Sequence, residues 1–201
     1  MSGWWVLVTN YLLGSLPFGI IIGWLFKRVD IRKYGSGNIG ATNVSRVAGF
    51  VPALLAGVAD ALKGFFGAYL STRFIQHPVL WFFAVFMIVI GHNWSVFLHF
   101  KGGKGVATTV GILFYLSYQA AIISFLSWVG MVLISRYSSL GSLTGALLMP
   151  IGLYFFRRPE EYIWWGIFAC ALVFFRHSEN ISRLIAGKEH KIGKKGRESH
   201  G

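Results

Sequence analysis

An all-α bundle that crosses a membrane several times is the fold class this sequence predicts, and three observations predict it. The 201 residues are 55% hydrophobic and only 13% charged, with a mean hydropathy of +0.59, too apolar for a soluble domain of this size. Trp4 to Phe26 carries no acidic or basic side chain and supplies the roughly 20 apolar residues that a bilayer core about 30 Å thick requires. Further apolar segments then follow along almost the whole chain. The first segment lacks the basic leader of a signal peptide and is expected to remain in the mature protein.

Hydropathy places spans near residues 4–26, 49–72, 79–98, 105–118, 120–135, 141–156 and 161–175, about seven in all. The fourth and fifth admit two readings: one long tilted helix, or a hairpin turning near Ser117 to Gln119. Charge decides between them. With seven spans, one side of the membrane receives fifteen of the 19 Lys and Arg, and the other only Arg73, Arg157 and Arg158. The positive-inside rule then sets the N-terminus outside and the C-terminus in the cytoplasm. Fusing the two spans would reverse everything after residue 135 and expel the basic tail, so the hairpin is the expectation. With no linker, low-complexity tract or internal repeat, residues 1–201 read as a single domain. The Lys-rich tail from Gly187 reads as a solvated or headgroup-facing extension.

Composition also excludes function classes. The lone Cys170 lies in an apolar stretch, which rules out an internal disulfide or a cysteine metal site. The net charge of +12 follows the edges of the spans, so membrane orientation explains it and no nucleic-acid partner is expected.

Four segments between spans carry the polar chemistry. In Tyr34 to Arg46, YGSGNIGATNVSR, Gly35, Gly37 and Gly40 are interleaved with Ser36, Asn38, Thr42 and Asn43 and end on Arg46. Such glycines let backbone N–H groups turn into an anion nest, and a guanidinium matches phosphate oxygens. In Gly91 to Thr109, Gly102, Gly103 and Gly105 surround Lys104 just ahead of a new helix, a second place for phosphate. It is not a Walker A loop: Leu98 stands where the first glycine belongs and Gly105 where the Ser or Thr belongs. The third segment, RYSSLGS, contributes Ser142. The fourth, RHSENISR, puts His177 and Asn180 one helical turn apart, and a histidine suits proton transfer near neutral pH. All four follow odd-numbered spans and so emerge on one side. Asp60 and Lys63, three residues apart inside the second span, are spaced to pair at depth.

Taken together, these residues resemble the bacterial acyl-phosphate:glycerol-3-phosphate acyltransferases, the PlsY family. The resemblance runs from GSLPFG (Gly14 to Gly19) to KIG (Lys191 to Gly193) and is carried by GSGNIGATN with Arg46, GHNWSVFLHFKGGKGVATT and RHSENISRL. It implies a multi-span enzyme of the bacterial inner membrane that moves a fatty acyl group from acyl phosphate to the 1-hydroxyl of glycerol 3-phosphate. The products are lysophosphatidic acid and phosphate, in the first step of phospholipid synthesis. It implies no cofactor, no metal and no covalent nucleophile, with partners limited to the two substrates and membrane lipid. On this reading Ser36, Arg46, Lys104, His177 and Asn180 carry the reaction. Gly37, Asn38, Gly40, Thr42, Asn43, Gly102, Gly103, Gly105 and Ser142 bind substrate. Two substrates that each carry phosphate fit two separated anion sites. The chief rival, a transporter of a phosphorylated anion, predicts inverted repeats and polar groups on both faces, whereas only Asp60 and Lys63 lie at depth here.

Overall fold

The computed structural model describes residues 3–192. Ten α-helices are present among them: α1 (Trp4–Ser15), α2 (Phe18–Lys27), α3 (Ala41–Ala48), α4 (Phe50–Phe74), α5 (Pro78–Asn93), α6 (Val106–Leu116), α7 (Tyr118–Ser135), α8 (Ser138–Phe155), α9 (Glu160–Arg176) and α10 (Ser178–Ile185). Short 3-10 turns lie at Ile31–Lys33 and Val96–Leu98, and there is no strand among the described residues. Five segments are long and apolar enough to cross a bilayer: Trp4–Lys27, Phe50–Phe74, Pro78–Leu98, Tyr118–Ser135 and Ser138–Phe155. The 17 residues of α9 are somewhat short. The 11 residues of α6 rise only about 16 Å, so that helix cannot cross a full bilayer by itself.

The first apolar segment is one span by hydropathy but two helices in structure. Pro17 lacks an N–H and disfavours helical backbone at Leu16, which ends α1. At the break the Leu16 carbonyl accepts hydrogen bonds from Phe18 N at 3.2 Å and from Lys63 Nζ at 2.9 Å. At the other ambiguous point the chain does turn: Ser117 is extended (φ −162°, ψ 101°) and ends α6. Its Oγ accepts from Ala120 N at the start of α7, and α6 then packs on α4 while α7 packs on α8.

Glycines let these helices touch at their backbones. Where α4 crosses α6, a Cβ on Gly64 would fall 2.0 Å from Thr108 O, and one on Gly111 would fall 1.8 Å from Ala61 O. The α1–α5 crossing repeats the device with Gly14 against Ile88 O and Gly91 against Tyr11 O. In lipid, where burying apolar surface gives helices no net drive to associate, such close approach supplies the dispersion that holds them. The interior is filled by Val6, Val85, Ile88, Ile112, Leu113, Leu116, Leu153 and Trp165. Leu126, Leu133, Ile134, Tyr154 and Phe155 point outward, as a lipid-facing surface requires.

Candidate active site

The Gly-rich segment after α2 is held from inside by one amide. Asn43, 1% exposed in α3, accepts from Ser36 N at 2.8 Å and donates to the carbonyls of Ile31, Tyr34 and Asn38. Gly35 must be glycine for this reason: its φ is +62°, and a Cβ would lie 2.3 Å from Asn43 Oδ1. The segment is a loop only as far as Gly40, because Ala41 onward is helical. Asn43 pins that loop, its Nδ2 donors engaged by loop carbonyls and its Oδ1 by Ser36 N, while Gly37 N and Gly40 N already donate to Tyr34 O and Asn38 Oδ1. Ser36 stays exposed on the rim.

The second glycine loop lies on the end of α5. Gly103 N donates to His92 O at 3.0 Å and Gly102 N to Asn93 O at 3.2 Å. These two N–H groups are therefore engaged within the protein and not offered to an anion. The donors that remain are Lys104 Nζ and the first-turn N–H groups of α6, which have no intrahelical partner. Gly105, at φ +76°, makes the left-handed turn that starts α6. Arg176 fastens the loop from the other side, donating to Gly103 O at 2.8 Å, with its guanidinium 5.1 Å from the centre of the Trp94 ring.

Hydrogen bonds join all four segments. Thr42 Oγ1 meets Ser138 Oγ at 2.9 Å, bringing α3 to the start of α8. Lys104 Nζ bonds to Asn180 Oδ1, bringing the glycine loop to α10. The α9 helix does not continue through His177, as the one-turn spacing had supposed; it ends at Arg176 and α10 starts at Ser178. His177 and Asn180 are nevertheless both buried on the same side as Lys104. Ser142 is buried and donates to Ser138 O at 2.9 Å, leaving its oxygen only as an acceptor.

The tail departs most from expectation. Residues 187–192 fold back over the site, and the Glu189 side chain is 4% exposed. Its carboxylate accepts from Ser139 Oγ at 3.0 Å, Asn180 Nδ2 at 2.7 Å and Arg183 Nε at 2.8 Å. Arg46 donates to His190 O at 3.3 Å, and Arg136 pairs in both directions with Ile192. The remainder of the basic tail, including Lys194, Lys195 and Arg197, lies outside the described residues. Arg176, Arg183 and Glu189 were not assigned roles from sequence. A single acid within a Lys-rich stretch was the available sign for Glu189.

Electrostatics sharpen the picture. Burial, then the nearby Arg183, lowers the Lys104 ammonium to about 8. Burial and the Lys104 charge lower His177 to about 4, so it is neutral throughout the physiological range. Its Nδ1 lies 2.8 Å from Val173 O; a carbonyl only accepts, so Nδ1 carries the hydrogen and Nε2 the lone pair. Burial raises Glu189, but the bonds from Arg183, Asn180 and Ser139 outweigh it and hold the carboxyl below its usual range. Among the described residues no three His, Cys, Asp or Glu side chains cluster as a metal site.

Sequence and fold comparisons relate the chain to known proteins. The model of the family described as glycerol-3-phosphate acyltransferase matches residues 4–187. "Glycerol-3-phosphate acyltransferase 2" of Moorella thermoacetica is 45% identical over 189 residues, covering 94% of this chain and 97% of the relative. The Mesorhizobium japonicum glycerol-3-phosphate acyltransferase is 44% identical, covering 94% and 96%. The crystal structure of PlsY (YgiH), an integral membrane glycerol 3-phosphate acyltransferase, superimposes in its glycerol 3-phosphate form with TM-score 0.89 at 42% identity, covering 96% of each chain. Its lysophosphatidic acid form gives 0.88. A family model spanning nearly the whole chain, relatives above 40% identity and a shared helical membrane architecture agree: this chain belongs to the glycerol-3-phosphate acyltransferase family.

Proposed function

We propose that this protein transfers a fatty acyl group from acyl phosphate to the 1-hydroxyl of glycerol 3-phosphate, releasing lysophosphatidic acid and phosphate. The observation that carries the reading is the convergence of Arg46, Lys104, His177 and Asn180 at one end of a membrane bundle that shares its architecture with the glycerol 3-phosphate form of PlsY. The transporter reading finds no support in this one-ended arrangement.

In the proposed reaction Lys104, Arg46 and the first-turn N–H groups of α6 hold phosphate, with Ser36 and Ser142 at the margin. Asn180 and the Nε2 lone pair of His177 orient the acceptor hydroxyl against the acyl carbonyl. The hydroxyl oxygen bonds to the carbonyl carbon, the carbon–oxygen bond to phosphate breaks, and the departing phosphate takes the proton. A histidine held near 4 is too weak a base to keep that proton. His177→Ala is therefore expected to lower kcat by about ten- to a hundredfold through lost orientation. The kcat profile is expected to show no step between pH 5 and 8 that this substitution removes. Such a step in a pH series would restore His177 as the base.

The whole chain works as one domain in the bacterial inner membrane. Seven apolar segments cross or enter the bilayer, the N-terminus is outside, and the site opens to the cytoplasm. The acyl chain reaches it laterally from the inner leaflet, which explains a membrane-embedded catalyst. Offering purified protein acyl phosphate or acyl-CoA, and glycerol 3-phosphate or glycerol, tests the substrate pair. Lysophosphatidic acid is expected only from acyl phosphate with glycerol 3-phosphate; product from acyl-CoA would refute the donor.

A further inference from the structure

Beneath the Lys104 loop lies a buried polar cluster that the reaction above does not use. Asp60, Lys63 and His92 are 2%, 3% and 4% exposed. Lys63 Nζ lies 2.9 Å from Asp60 Oδ1, and His92 Nδ1 lies 3.6 Å from the same oxygen. Lys63 also bonds to Leu16 O at the break in the first span, so the cluster ties that break to α4 and α5. The other edge of the His92 ring faces the loop. A Cβ on Gly103 would lie 2.2 Å from His92 Nε2, and one on Gly102 would lie 2.1 Å from His92 O. Neither glycine has the positive φ that only glycine accepts readily, so what excludes a side chain is contact: with the His92 ring at Gly103, and with the backbone of His92 and Asn93 at Gly102. Gly103 N is bonded to that same residue's carbonyl.

We propose that His92, braced by Asp60 and Lys63, is a positioning residue for Lys104: its ring and carbonyl form the seat on which the Gly102–Gly103 backbone rests, and the seat fixes where the ammonium meets substrate phosphate. The inference rests on Lys104 as the phosphate-binding cation. It gives the buried charges a task, since ionisable groups at such depth are costly to keep. It also gives Gly102 and Gly103 a steric reason instead of a role as anion donors.

The test is a cycle of Gly103→Ala, His92→Ala and the double variant in the full-length protein in lipid, with Lys104→Ala alongside. Gly103→Ala is expected to lower kcat/KM for glycerol 3-phosphate at least tenfold, chiefly through KM. The double variant should be no worse than His92→Ala alone, because the methyl then has the space the ring occupied. Losses that multiply would overturn the proposal. The second readout is the alkaline limb of kcat/KM. A loosened seat lets water reach Lys104, so His92→Ala should move the limb upward by about half a pH unit or more. The other groups facing Lys104 are Arg176, Glu179, Arg183 and Glu189, with neutral His177; both substitutions leave these side chains in place, and of them Arg176 touches the altered loop, through Gly103 O. A limb that stays in place while stability falls would leave His92 a purely structural residue. Where His92→Ala does not fold, His92→Gln removes the ring but keeps a polar group for Asp60, and is expected to move the limb in the same direction. Wild-type kcat/KM in Lys104→Ala would remove the premise; loss there, with an unmoved limb and multiplying losses, would overturn this inference alone.

Discussion

Lys104→Ala is expected to lower kcat/KM for glycerol 3-phosphate by about a hundred- to a thousandfold, equivalent to about 3–4 kcal/mol. The magnitude follows from the setting. A charge-assisted bond to phosphate is about twice as strong as a neutral one, and Lys104 sits half-buried, away from the water that would screen it. Removal also frees Asn180 Oδ1 from its partner, so orientation of the acceptor suffers with binding. Steady-state kinetics on folded variant in lipid checks it. A Lys104→Arg variant should recover only part of the loss, because the planar guanidinium cannot occupy an ammonium's place against Asn180. The wild-type enzyme should lose kcat/KM as pH rises through about 8, the value to which burial lowers this ammonium. The sign is set by charge: below that pH the lysine is protonated and attracts phosphate, and above it the attraction is lost.

Gly111→Ala should have the largest effect on stability, although Gly111 is far from any reacting group. The added methyl would stand 1.8 Å from the backbone oxygen of Ala61, and a carbonyl within a helix cannot rotate away. The α4–α6 crossing would have to open, separating Gly64 from Thr108 as well. Overpacking of this kind costs about 3 kcal/mol, or a drop of about 10 °C in melting temperature for a chain of this size. Thermal unfolding in detergent, followed by size exclusion, provides the measurement. Gly130→Ala is the matched control, since a Cβ there meets nothing within 4 Å, and it should melt with the wild type. The crossing also fixes the N-terminus of α6, so surviving Gly111→Ala protein should have raised KM as well.

Much of the architecture could be read from the chain because lipid imposes long apolar runs. The apolar segments and the pairing of Asp60 with Lys63 are written in local spacing, and the turn at Ser117 in the distribution of charge along the chain. Convergence of the four polar segments was expected from a seven-span connectivity, which puts all four on one side, and the structure does bring them together. What escaped was set by contacts between distant residues. Which carbonyl faces Gly102 or Gly111 has no local signature, so glycines that permit close packing looked the same as glycines that bind anions. Asn43 resembled a ligand for the same reason, although its four bonds all close within the loop it pins. Glu189 looked solvated because its partners Ser139 and Asn180 are supplied by α8 and α10. Hydropathy treated Trp4 to Phe26 as continuous, and only the chemistry of Pro17 divides it.

The central claim, acyl transfer at the site around Lys104, is tested most directly by phosphate release from purified protein in lipid, with acyl phosphate supplied with and without glycerol 3-phosphate. Release is expected to require the acceptor, to equal the lysophosphatidic acid formed mole for mole, and to fall at least a hundredfold in Lys104→Ala. Release that is indifferent to glycerol 3-phosphate, or unchanged in that variant, would contradict it.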